Sequence, residues 1–125
     1  MKLNYLVPIL GVADVQRSID FYQETLGFEV MNTYAPEGKL CWAMVKSGDT
    51  RLMFSLSEPG RKEKDVLLYF YPDNVVELHF VLRSRGHRVS GLRVTFYGMK
   101  EFDFADPDGY PMTFGEHTHD PPTEE

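Results

Sequence analysis

The order strand, helix, strand, strand, strand can be read twice along this sequence, and a chain that repeats one small α/β unit has few ways to bury its apolar surfaces. In the first half "NYLVPILGV", residues 4–12, is an apolar run that predicts a strand. Asp14 stands where an N-cap belongs, and Val15, Ile19, Tyr22 and Leu26 follow at spacings of 4, 3 and 4, on one helical face. Gly27 is placed to end that helix. Three further strands are predicted at "FEVMNTY" (28–34), "KLCWAMVK" (39–46) and "RLMFSL" (51–56), the last two joined by the tight turn "SGDT".

The second half repeats the order. "VLLYFYP" (66–72) reads as a strand, Asn74 and Glu77 form an N-x-x-E capping box, and Val75, Leu78 and Leu82 make the core stripe of a helix ending at Gly86. "HRVSGL" (87–92) reads as a short strand or edge, "MKEFDFA" (99–105) alternates cleanly, and "YPMTFGE" (110–116) is the last strand. Between the halves "SEPGRKEKD" (57–65) combines Pro, Gly and six charged residues, the composition of a solvated connector. The expected organisation is therefore an α+β domain over residues 1–116. It consists of modules at about 3–56 and 66–116 and is followed by a flexible polar tail, 117–125.

Bulk properties narrow the function. Lys plus Arg is 13 against 19 for Asp plus Glu, and a net charge of −6 argues against a nucleic-acid partner, which needs a basic face. No apolar run approaches the roughly 18 to 20 residues of a membrane span. A single cysteine, Cys41, forms no internal disulfide and is expected to act as a small buried hydrophobe. With no long apolar leader after Met1, a cytoplasmic location is expected. The aromatic complement, 9 Phe, 7 Tyr and 1 Trp, is large enough to line a pocket as well as a core.

The repeated module, with "VADVQRSIDFYQETLGFEV" in the first half and "YGMKEFDFADPDGYPMTFGE" in the second, resembles the vicinal oxygen chelate superfamily of glyoxalases, extradiol dioxygenases and bleomycin-resistance proteins. The resemblance covers residues 3–116. It implies two tandem βαβββ modules curling into a half-open barrel, helices outside and a cleft inside. In metal-dependent members four cleft-facing positions supply His or Glu; these fall here at Val7, Met53, Leu67 and Thr113, none of which offers an imidazole or a carboxylate. The resemblance therefore implies no metal and no cofactor at that centre. It is strongest to the bleomycin-resistance proteins, whose first strand carries a Val-Pro pair followed by two apolar residues, as in Val7-Pro8-Ile9-Leu10. That likeness implies a homodimer exchanging its N-terminal strand and holding a cationic antibiotic unchanged in clefts at the interface.

Strand alternation gives an independent reading of the cleft. If Gly48-Asp49 is a two-residue turn, Lys46 pairs with Arg51, Met44 with Met53 and Trp42 with Ser55 on one face, leaving Cys41, Ala43, Val45, Leu52, Phe54 and Leu56 on the other. The same logic sends Leu67, Tyr69 and Tyr71 to the cleft, Leu68 and Phe70 to the helices, Phe102 and Phe104 to the core, and Glu101 and Asp103 toward the cleft or solvent. The candidate ligand-binding residues are Trp42, Met44, Met53, Tyr69, Tyr71, Tyr97, Glu101, Asp103 and Thr113. Rings and thioethers suit a planar or extended small organic ligand, and the carboxylates favour a cation. No nucleophile with a base is visible, so no catalytic residue is assigned.

Four features have plainer readings. His79 belongs near the core stripe, His87 follows a helix end as a cation, and His117 with His119 is an incidental pair in the tail rather than a metal site. Val76 and Phe80, at i and i+4, lie well round from the core stripe and read as scattered surface apolar residues, with a partner surface as the alternative. The expected function is metal-independent sequestration of a small molecule. The alternative is a metal-dependent lyase or dioxygenase with a shifted site using Glu101, Asp103 or Glu116 and a histidine. A third reading is an interaction module with no ligand.

Overall fold

The computed structural model describes residues 1–2, 4–57 and 66–123. Most of the expected connector, 58–65, lies outside the described residues. The chain divides into two compact units, Met1–Glu63 and Lys64–Glu125. Each is built in the same order.

In the first unit β1 (Ile9–Val12) leads into α1 (Val15–Leu26), then β2 (Glu29–Tyr34), β3 (Trp42–Ser47) and β4 (Thr50–Leu56), with sheet order β1-β4-β3-β2. The helix begins where Asp14 accepts a hydrogen bond from the Arg17 amide at 3.1 Å, satisfying one of the orphan donors of the first turn. It ends at Gly27, whose φ of 76° is the left-handed conformation that costs a residue with a Cβ. Parallel pairing of β1 with β4 and antiparallel pairing of β3 with β4 set Leu10 beside Phe54 and Ala43 beside Phe54. These residues are buried with Val45 and Leu52 under Val15, Ile19 and Tyr22 of α1, and Tyr22 packs on Phe54 with ring centroids 5.0 Å apart. The expected register is observed: Met44 faces Met53, Trp42 faces Ser55 and Lys46 faces Arg51. Cys41 is half-buried rather than buried.

The first strand is shorter than expected. Pro8 has no amide proton to give a ladder, and only its carbonyl is used, by the Met53 amide at 3.0 Å. Residues 4–8 form no strand, and Tyr5 and Leu6 are exposed.

The second unit runs β5 (Leu68–Phe70), α2 (Val75–Ser84), β6 (Arg93–Val94), β7 (Met99–Ala105) and β8 (Pro111–His117), with order β5-β8-β7-β6. Asn74 caps α2 by accepting from the Glu77 amide at 3.0 Å. The helix covers an aromatic column in which Phe70 and Phe102 each stack on Phe114, 5.2 Å between centroids, and the edge of His79 meets Phe102 at 5.0 Å. His79 is a buried structural residue, its Nε2–H given to the Ser90 carbonyl at 2.8 Å. The "DPDG" segment is a turn: Asp106 Oδ1 accepts from the amides of Asp108 and Tyr110, which fixes the β7–β8 hairpin. "HRVSGL" is not a strand. β6 falls just after it, where Arg93 and Val94 pair with Glu101 and Lys100 of β7; within the segment Ser90 is hydrogen-bonded to that strand, its amide donating to the Asp103 carbonyl at 3.0 Å and its hydroxyl oxygen accepting from the Asp103 amide at 2.8 Å.

The helix caps and the parallel strand pairs repeat with an offset of 60 residues: Asn74 follows Asp14, Tyr69 follows Ile9 and Thr113 follows Met53. Within the segment expected as a tail, the Thr118 amide donates to the Gly98 carbonyl, the Thr123 amide to the Val94 carbonyl, and Lys100 pairs with Asp120 at 2.7 Å.

Candidate functional site

The sheet faces turned away from the two helices carry the expected site residues, and each face is self-contained. On the first sheet Trp42, Met44 and Met53 share one side, all half-buried. Met44, Met53, Arg51 and Asp49 combine with Tyr5, Leu6 and Val7 in a groove of about 570 Å³. Thioethers and apolar side chains dominate its lining.

The corresponding face of the second sheet is a hydrogen-bonded network. Cross-strand pairing aligns Arg93 with Glu101, Glu101 with Gly115, Asp103 with Thr113 and Tyr69 with Thr113. Glu101 is only 1% exposed. Its Oε2 accepts from the Tyr69 hydroxyl at 2.6 Å and the Tyr97 hydroxyl at 2.9 Å, and its Oε1 accepts from Arg93 at 2.8 Å. Arg93 also forks onto Asp103 through two bonds of 2.9 and 3.0 Å, and the Thr113 hydroxyl donates to Asp103 Oδ1 at 2.8 Å. A buried carboxylate is tolerable only when its oxygens are satisfied in this way. Tyr71 lies beside Tyr69, 5.1 Å between centroids, and His117 lies 6.5 Å from Tyr71.

Gly115 makes the network possible. A Cβ there would fall on the Tyr69 hydroxyl, so only glycine lets that ring cross β8 to reach Glu101 on β7. Gly115→Ala is expected to expel the ring, break its bond to Glu101 and cost about 1–2 kcal/mol. Tyrosine absorbance titration checks it, since one hydroxyl should ionise at a lower pH than in the parent protein.

The charges shift one another. Burial, then the bond to Glu101, raises the Tyr69 hydroxyl above its ordinary 10.0, and the bond to Glu101 raises Tyr97. Arg93, helped by Thr113, holds Asp103 below its ordinary 3.8. Groups raised on folding stabilise fully below their unfolded value and lose that contribution as pH rises past it. Asp103, lowered on folding, contributes above its unfolded value and loses the contribution as pH falls. Stability from this network should hold between about pH 4 and pH 10 and decline on both sides. Urea midpoints across pH check this, with a smaller alkaline decline expected in Tyr69→Phe.

The structure changes the expected picture of the carboxylates. Glu101 and Asp103 are not free anionic anchors: one guanidinium is shared between them, which leaves a single surplus negative charge. Glu101 and Thr113 are buried, while Asp103, Tyr71 and Tyr97 are exposed. Glu116 is committed as well, accepting from the Val75 amide at 2.7 Å at the N-terminus of α2, where a negative charge is favoured.

The superfamily implies a divalent metal, so its four positions are the test of fit. Val7 and Leu67 are hydrocarbon, Met53 is a soft thioether, and the Thr113 hydroxyl is given to Asp103. This donor set does not fit a catalytic divalent ion, which takes imidazole and carboxylate ligands. Among the described residues no three His, Cys, Asp or Glu side chains gather where an ion could bind.

Comparison with known proteins agrees with this architecture. The sequence profile of the Glyoxalase/Bleomycin resistance protein/Dioxygenase superfamily matches residues 2–114. The chain belongs to that superfamily. Among solved structures it is similar to TnmS3, an antibiotic binding protein from Streptomyces sp. CB03234, at 25% identity and TM-score 0.78, covering 94% of this chain and 99% of that one. A glyoxalase/bleomycin resistance protein from the same Streptomyces is 27% identical with TM-score 0.69, covering 86% and 96%. The bleomycin resistance determinant encoded on transposon Tn5 shares the fold at 22% identity and TM-score 0.75, covering 92% and 98%. No curated protein matches the chain. Among the described residues no helix is long and apolar enough to cross a membrane.

Proposed function

We propose that this chain is a metal-independent binding protein of the bleomycin-resistance type. It sequesters a small organic molecule in an aromatic cleft at a homodimer interface, in the cytoplasm, without transforming it. The observation that carries this reading is the donor set at Val7, Met53, Leu67 and Thr113, which cannot assemble a metal centre on a superfamily scaffold. The proposed ligand contacts are, in the first unit, the ring of Trp42 and the thioethers of Met44 and Met53 and, in the second, the rings of Tyr69, Tyr71 and Tyr97. Exposed Asp103 supplies a polar contact, while Glu101 and Thr113 hold the surface rigid from beneath. One surplus negative charge favours a neutral or singly cationic ligand. The antibiotic-binding likeness of TnmS3 supports the ligand class. Residues 4–8 form no strand and Tyr5 and Leu6 are exposed, which supports exchange of the N-terminal strand.

Calorimetric titration against bleomycin-type glycopeptides and flat aromatic antibiotics tests the reading. A saturable site per chain with Kd below about 1 mM is expected, roughly 4 kcal/mol of binding or more. No heat across the panel, or product formed from any member, contradicts it. Sedimentation at micromolar concentration should give a dimer.

A further inference from the structure

The outer face of α2 carries a stripe that α1 lacks. Val76, Phe80 and Arg83 follow at i, i+4 and i+7; Val76 is 48% and Phe80 69% exposed. With His79, Ser84 and Leu92 they line a groove of about 520 Å³. Arg83 makes no ion pair or side-chain hydrogen bond among the described residues.

The internal repeat supplies the control. Sixty residues earlier, the same stripe of α1 carries Gln16, Asp20 and Gln23, with the Gln16 amide donating to Asp20 at 2.9 Å. A polar stripe therefore satisfies this helix position in this fold. The apolar residues of α2 are not needed to hold it.

We infer that the α2 groove binds an organic anion with a flat apolar body, its acid group held by Arg83 and its ring laid on Val76, Phe80 and Leu92. The volume falls within the roughly 300–1,000 Å³ typical of small-ligand sites. The lining spans under three turns of α2 plus Leu92, room for one or two rings rather than an extended peptide. An unengaged guanidinium beside apolar walls favours an anion at that point. His79 contributes only a wall, because its Nε2–H is given to Ser90 and its ring to Phe102.

Fluorescence titration of the full chain with 8-anilino-1-naphthalenesulfonate, beside the uncharged N-phenyl-1-naphthylamine, tests this. Arg83→Gln should weaken the sulfonate about 5- to 10-fold, as loss of a charge-assisted contact implies, and leave the neutral dye within about two-fold. V76Q/F80D/R83Q copies the residues of α1 onto α2 and should remove the sulfonate site, leaving only the neutral-dye binding that the separate aromatic cleft supports. Wild-type affinity for the sulfonate in that variant, or equal weakening of both dyes by Arg83→Gln, overturns the proposal. Arg83→Gln is a surface change and decides the question alone if the triple variant does not fold.

Discussion

Glu101→Ala is expected to lower stability by about 3–4 kcal/mol in urea unfolding at pH 7. The side chain is 1% exposed and accepts three hydrogen bonds, from Tyr69, Tyr97 and Arg93. Removing the carboxylate leaves the part-buried Tyr69 hydroxyl without its acceptor and Arg93 with Asp103 alone. The cost of the unsatisfied donor, rather than the worth of one hydrogen bond, sets the size of the loss. Glu101→Gln keeps the shape and one acceptor and should cost about half as much. A double-mutant cycle of Glu101→Ala with Tyr69→Phe should recover about 1 kcal/mol or more of coupling, because the orphaned hydroxyl is then removed as well.

Phe102→Ala should be as severe, about 3–5 kcal/mol, for an unrelated reason. Phe102 is next to Glu101 in β7 but on the opposite face of the sheet, fully buried between Phe114 and His79. Truncation opens a cavity that the flat rings of Phe114 and Phe70 cannot collapse to fill. Phe102→Leu should recover most of the loss, since only volume and contact are at stake. The pH dependence separates the two: the Phe102→Ala deficit should be constant from pH 5 to 9, whereas the Glu101→Ala deficit should shrink at alkaline pH, where Tyr69 and Tyr97, raised by their bonds to Glu101, lose that contribution.

The fold was legible because its signals are local. Asp14 and Asn74 are caps by chemistry, Gly27 ends a helix by its φ, and two-residue alternation through "WAMVK" from the Gly48-Asp49 turn matches the observed register of β3 with β4. The candidate site was legible only in outline. Alternation showed that Glu101 and Asp103 share a face, but their electrostatics depend on Arg93, which a cross-strand pair brings from β6. The signal was available: two carboxylates on one face of a sheet call for a cation opposite, and Arg93 alternates correctly with buried Val94. Gly115 was less visible, since its role is the absence of a Cβ where a tyrosine from another strand must pass. The length of β1 was overestimated because apolar composition continues through Pro8, although its ladder donor does not.

Ligand titration of one preparation before and after chelation, with elemental analysis of both samples, tests the central claim most directly. The account predicts less than about 0.1 metal equivalent per chain, well short of a resident site, and the same Kd in both samples. Stoichiometric metal in the untreated protein, together with binding or turnover that disappears on chelation, would contradict it.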